Sequence, residues 1–366
     1  MREPAPVRSP LVGIIANPIS ARDIRRVVAN ANSLQLADRV NIVLRLLSAL
    51  AAGGVGRVLM MPDREGLRAM LQRHLARSSG PDATLAAVDY LNMTVTGSVD
   101  DTLCAARMMR EAGVAAIVVL GGDGTHRAVV RECGDVPIVG ISTGTNNAFP
   151  EMREPTITGL ATALFASGRI PAECALASNK RLDVTIREPN QAVRSDIALV
   201  DAVISREQYI GARAVWKTDM LTAVYVSYAS PQAIGLSAIA GLLEPVGRHE
   251  RGGLAVELGR QGQCAFELMA PIAPGLMRSV PVACWHRLEH AVPQRVQQGA
   301  GIVALDGERE LAFDKDDEVF VTLKENAFSS IDVAACMSYS AGAHLMRRAA
   351  GAGLPDPEFC IFTPQT

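Results

Sequence analysis

Gly121-Gly122-Asp123-Gly124-Thr125 is the stretch in which residue type and spacing carry the most chemistry. Glycines let backbone amides approach an anion closely, and a helix starting there adds its positive end. The acid among them is the unusual feature. A carboxylate is repelled by polyphosphate, so Asp123 implies a chemical role, either placing Mg²⁺ through water or taking the proton of an attacking hydroxyl. A plainer alternative is a strand-to-helix turn in which Asp123 caps the helix. The five residues alone leave both open.

Two further polar stretches end apolar runs: Asn17-Pro18-Ile19-Ser20, and Ser142-Thr143-Gly144-Thr145-Asn146-Asn147. Each is also ordinary turn chemistry. Their weight comes from the elements that position them. Leu11–Ala16, Ala115–Leu120 and Val136–Ile141 read as buried parallel strands. In a parallel sheet the loops after all three leave by one edge, where open α/β sheets bind ligands. Between them the pattern predicts helical spacing at Ile24, Val27 and Val28 and again at Val40, Leu44 and Leu47. Strands follow over 57–61 and 83–90, a helix over 64–77, and a helix capped by Ser98 that runs to about Glu111.

After a helix over about 156–167 the texture changes. Short strands are predicted over 181–187, 197–205, 222–229, 254–258, 264–269, 280–285, 301–305 and 318–323, a density that suggests a β-sandwich-like unit. Ser230 to Gly241 interrupts that rhythm with small residues, which either let backbone approach a ligand or pack a short helix. Asp306-Gly307-Glu308 is first of all a hairpin turn pair. The division expected is an α/β domain with a Rossmann-like parallel sheet over 1–150 and an all-β domain over 151–330. A helical tail over 330–366 docks back on the first.

The chain has 366 residues, 49% hydrophobic and 20% charged, with a net charge of −2. These values fit a globular protein and argue against a general nucleic-acid surface. No apolar segment is long enough for a membrane span, and no signal peptide is evident, so a cytoplasmic protein is expected. The seven cysteines are widely spaced without a Cys-x-x-Cys pair, which predicts reduced thiols and no zinc site. Cys284-Trp285-His286 reads as core packing.

Together these motifs resemble the superfamily that joins NAD kinases with diacylglycerol and sphingosine kinases. Residues 121–125 match its central motif, 142–147 resemble its second nucleotide loop, 230–241 resemble its substrate segment, and 306–308 match its late Asp-Gly-Glu turn. The opening Asn17-Pro18 and the Arg22-Asp23-Ile24-Arg25-Arg26 that follows are most similar to the branch called acetoin catabolism protein X. The resemblance implies ATP as donor, Mg²⁺ as helper, and a hydroxyl acceptor such as NAD, in a cleft between the domains of a homo-oligomer. By the same resemblance Asp123 is catalytic. Asn17, Gly121, Gly122, Gly124, Thr125, Thr143, Gly144, Thr145, Asn146 and Asn147 bind nucleotide, with Thr125 capping the helix. Asp201, Ser230, Gln232, Asp306 and Glu308 contact the acceptor. His126 is placed either on a phosphate or on the surface of the first helical turn. Two departures stand out: Val200 replaces an amide of the NAD kinases, and Ile234 lies where they carry hydroxyls, whose hydrogen bonds an isoleucine cannot replace. A lipid kinase and a non-catalytic NAD/ATP sensor are the alternatives.

Overall fold

The computed structural model describes residues 10–17, 34–77, 85–143, 147–207, 218–260 and 264–347. The helical spacing at Ile24, Val27 and Val28, the loop residues Pro18 to Ser20 and Gly144 to Asn146, and the end of the tail lie outside them.

Five parallel strands form the first layer: β1 (Leu11–Ala16), β2 (Arg57–Met60), β3 (Ala87–Tyr90), β4 (Ala116–Gly121) and β5 (Ile138–Ser142). Their order is β3-β2-β1-β4-β5. The chain winds outward from β1 and then returns to lay β4 on its other side, so the crevice of the sheet opens between the ends of β1 and β4. Every residue of β4 is buried, as an unbroken branched run between two helical layers requires.

One face is covered by α1 (Leu36–Ala52), α2 (Leu67–Arg77) and α5 (Pro155–Ala166), and the other by α3 (Val99–Glu111) and α4 (Asp123–Glu132). The Ser98 hydroxyl accepts from the Asp100 amide and caps α3, as the sequence predicts. α6 (Val333–Gly342) buries Val333 and Cys336 in the same core as α1 and α5, so the described part of the tail packs on the first layer.

The strand-rich region divides between two sheets. β6 (Leu176–Arg187), β7 (Val193–Ala198) and β16 (Glu318–Ile331) extend the first sheet beyond β5, with β13 (Pro293–Arg295) paired to β16. A second, antiparallel sheet consists of β8 (Asp201–Ser205), β9 (Leu221–Val226), β10 (Gly253–Leu258), β11 (Phe266–Ala273), β12 (Leu276–Leu288), β14 (Gly301–Leu305) and β15 (Glu308–Phe313). Their order is β11-β12-β10-β9-β8-β14-β15. Leu182, Val184, Val321 and Leu323 of the extension pack against Ala202, Ile204, Val303 and Leu305 of the second sheet. The strand density therefore did signal a sandwich, one layer of which continues the parallel sheet. The predicted strand over 197–205 is two strands in different sheets, because the chain bends at Leu199-Val200 and crosses between layers there.

Cys284-Trp285-His286 is not core. All three are exposed on β12, and Trp285 donates to Glu244 and meets Phe266 edge-on. The segment sits toward the sheet edge, which hydropathy cannot distinguish from the interior.

Close helix contact holds the first layer. A Cβ on Gly159 of α5 would come 2.9 Å from the Ala49 Cβ of α1, and Gly53 just past α1 packs against Ala163. Gly159→Val is expected to cost about 1–3 kcal/mol by overpacking, read as a lower urea midpoint with an unchanged m-value.

Candidate functional site

α4 begins directly at the end of β4. Gly122 is its N-cap, and the first helical bond runs from the His126 amide to the Gly122 carbonyl. The amides of residues 123–125 therefore precede the ladder at the positive end of a ten-residue helix. Thr125 is not the cap: it is buried beneath Gly121, whose Cβ would come 2.6 Å from the Thr125 Cβ. Gly122 is equally constrained, because a Cβ there would meet Asn147 Oδ1 at 2.8 Å.

The loops after β1, β4 and β5 do leave by one edge. The Asn17 amide donates to the Leu120 carbonyl, and the Thr143 amide to that of Gly121. Asn147 donates from Nδ2 to Ser142 Oγ at 2.8 Å, so its amide braces this loop. The Thr143 hydroxyl is buried with no hydrogen-bond partner among the described residues.

Asp123 does not cap its own helix. Its carboxylate accepts from the amides of Ala148 at 3.0 Å and Phe149 at 2.8 Å. The carbonyls of those two residues are held in turn from the second half of the chain. Tyr228 Oη donates to Ala148 O at 2.8 Å, and Arg248 Nη1 to Phe149 O at 2.9 Å. Burial holds the Tyr228 phenol far above its ordinary range, so it remains a donor. The Arg248 guanidinium also lies 3.9 Å over the Phe149 ring. The loop carrying Arg248 is fixed by Lys180, which donates to the carbonyls of Gly247, Glu250 and Gly252.

Asp306 is almost wholly buried in the turn between β14 and β15, where it and Gly307 both have positive φ, +50° and +79°. Its carboxylate accepts from the amides of Leu199, Val200 and Asp201 at the bend where β7 becomes β8. Burial pushes its carboxyl up, against the pull of Arg127 of α4 and of those three amides. The Leu199 and Val200 carbonyls accept from Ser227 on the bend's other side.

These elements converge on one pocket. Asp123 and Ala148 line it from the first layer. Val200, Asp201, Asp306 and Gly307 line it from the bend and the hairpin, and Ile234 to Ser237 with Ile272 complete the wall. Glu308 lies just outside, its Oε2 3.6 Å from where a Cβ on Gly124 would stand.

Ser230 and Gln232 do not reach the pocket. Gln232 is exposed, and its amide donates to the Ser230 hydroxyl in a local turn. The contribution of that segment is Ile234, Gly235, Leu236 and Ser237 instead. Gly235, with φ +115°, makes the turn, and Gly241 packs directly on the Ser230 carbonyl. The small residues marked the right segment, but side-chain polarity pointed to the wrong end of it. Ile272 carried no signal, since it reaches the pocket through the fold of β11.

His126 lies neither on a phosphate nor on the surface. It is fully buried, with Nδ1 2.8 Å from the Gly122 carbonyl, its ring 5.6 Å from that of Phe149, and Nε2 against Gly140. Burial pushes its pKa down to about 4.

Among the described residues no group of three or more His, Cys, Asp or Glu side chains is arranged to hold a metal by itself. Asp123 and Glu308 nevertheless flank the helix N-terminus, and their carboxylate oxygens are of the hard type that Mg²⁺ takes.

An α/β layer with its crevice at a Gly-Gly-Asp-Gly-Thr turn, closed by an antiparallel sheet, defines the NAD kinase-like fold. Yeast NADH kinase, solved with NADH, superposes with a TM-score of 0.51 at 12% identity, over 94% of this chain and 90% of that one. Residues 12–170 match the ATP-NAD kinase N-terminal domain, and residues 180–326 the acetoin catabolism protein X C-terminal domain. Acetoin catabolism protein X of Cupriavidus necator is 73% identical over 349 residues, 95% of this chain and 96% of that protein. The chain belongs to the acetoin catabolism protein X family.

Two outcomes follow from these contacts. Asp306→Ala leaves three amides at the bend without their acceptor and removes the charge facing the buried Arg127, and should cost about 3–5 kcal/mol in denaturant unfolding. His126 is neutral in the folded protein down to about pH 4, whereas an unfolded histidine protonates near 6.5. Its contribution is therefore intact above pH 6.5 and is lost as pH falls through 4. Relative to His126→Gln, the wild type should lose about 3 kcal/mol between pH 7 and pH 4.

Proposed function

We propose that this protein is an ATP-dependent phosphotransferase of the NAD kinase-like type, delivering a phosphoryl group to a hydroxyl acceptor. One observation carries the proposal: the Asp123 carboxylate lies at a helix N-terminus and also lines the pocket where Asp201 and Asp306 arrive from the other sheet. Phosphate and acceptor thus meet at one acid.

Phosphoryl transfer asks mainly for alignment and charge neutralisation. In this scheme the amides that open α4, with the loops of Asn17 and Thr143, cradle the phosphates. Glycines at 121, 122 and 124 keep that approach clear, and Gly144, Thr145, Asn146 and Asn147 belong to the nucleotide side. Asp123 and Glu308 would face Mg²⁺ carried in with ATP, and the ion would offset the phosphate charge there. Asp123 orients the acceptor hydroxyl and receives its proton, its carboxylate held by two amides in one geometry. Asp201 is the second acid facing the acceptor, while Asp306 acts through the bend it holds. The two-domain division, cytoplasmic location and homo-oligomeric assembly belong to the same proposal, and the association with acetoin breakdown comes through the relative's name.

Asp123→Asn should lower ADP formation at least about 100-fold while leaving the ATP-dependent rise in melting temperature in place. A variant with wild-type turnover removes Asp123 from the chemistry. Wild-type protein that binds ATP yet releases no ADP with any acceptor supports the sensor alternative.

A further inference from the structure

We propose that Tyr228 is a positioning residue for the transfer, acting on Asp123 through the single peptide group that joins Ala148 to Phe149. The inference rests on the phosphotransferase function above and adds a residue to the machinery of that site.

Both ends of that peptide group are in use. Its carbonyl, that of Ala148, accepts from Tyr228 Oη at 2.8 Å, and its N–H, that of Phe149, donates to Asp123 Oδ1 at 2.8 Å. Hydroxyl, peptide and carboxylate therefore form one continuous chain of hydrogen bonds. In such a chain each bond polarises the next, so a donor on the carbonyl oxygen makes the N–H of the same peptide a stronger donor. Arg248 cannot act in this way. It donates to the Phe149 carbonyl, and the nitrogen of that peptide belongs to Pro150, which carries no hydrogen. Arg248 braces the loop, whereas Tyr228 reaches the acid.

The chain is anchored at both ends. Ser227, just before Tyr228, donates from its amide to the Val200 carbonyl and from its hydroxyl to the Leu199 carbonyl, at the bend that Asp306 holds. Ala229, just after it, exchanges both backbone hydrogen bonds with Val246. At the other end the Phe149 ring lies against His126 and Phe328 and under the Arg248 guanidinium. The Tyr228 ring packs on the core that includes Val129 and Phe149. A phenylalanine would fill the same space, so what the hydroxyl adds is its hydrogen bond.

The step it serves balances with ATP as the only co-reactant. The acceptor oxygen forms a bond to the γ-phosphorus, the bond from that phosphorus to the β,γ-bridging oxygen breaks, and ADP leaves. The hydroxyl proton passes to the Asp123 carboxylate and then to water. A carboxylate held in one direction makes that transfer without first having to turn.

The test uses the full-length protein with Mg²⁺, ATP and, as acceptor probes, NAD, NADH and glycerol. ADP release gives the kinetics, and the NMR shift of the Phe149 amide proton reports the hydrogen bond to Asp123. Tyr228→Phe is expected to lower kcat about fivefold, to leave KM for ATP unchanged, and to move the Phe149 amide proton upfield. Tyr228→3-fluorotyrosine, a stronger donor, is expected to move it downfield and to keep kcat at the wild-type level or above. In an Asp123→Asn background Tyr228→Phe is expected to cost nothing further, as for two residues that act through one interaction. An equal loss in both backgrounds, or a loss confined to KM, overturns the positioning role and leaves the phosphotransferase function standing. A Phe149 amide that does not move overturns the chain of hydrogen bonds. No ADP from the wild type with any of the three probes overturns the function and this role with it.

Discussion

The carboxylate of Asp306 holds the point at which the chain passes from one sheet to the other. An acid taken out of water is costly unless its oxygens are satisfied. Here three successive amides, those of residues 199–201, do that, with Arg127 adding opposite charge. The arrangement works in both directions. The bend gives Asp306 its donors, and Asp306 fixes the bend whose next residue, Asp201, faces the pocket. Arg127 also donates to the Leu305 carbonyl. It lies on the helix that begins with Asp123, so the same knot ties the motif helix to the second sheet.

The site is consequently made of contacts between distant parts of the chain. Residues 121–125 contribute a helix start, but the orientation of Asp123 comes from amides 25 and 26 residues later. Those amides are aimed by Tyr228 and Arg248, which belong to the strand-rich half. Two carbonyl contacts and one stacked guanidinium hold residues 148 and 149 from outside the loop. This accounts for the role of Asn147, whose amide is used to brace the turn against Ser142.

How much of this was legible beforehand follows from what each signal measures. Unbroken apolar runs gave β1, β4 and β5, because a strand covered on both faces has no polar side. The Ser98 cap was legible because it acts over two residues. The Leu199-Val200 bend was not, since both residues are apolar and the feature that breaks the strand is a carboxylate more than 100 residues away. His126 was misplaced for a similar reason. Its burial is set by Gly140, which leaves just enough space for the ring, and a glycine in a strand does not announce what lies above it. Polarity drew attention to Ser230 and Gln232, while the pocket is walled by the apolar residues that follow them.

The support of the 148–149 loop has a mechanical consequence. Since the peptide groups that grip Asp123 are anchored to Tyr228 and Arg248, separating the two layers around the cleft would pull on that grip. The Asp123 carboxylate keeps its direction only while the layers are docked. The fold thus behaves as an interlock, in which the aim of one side chain is tied to the closure of the whole.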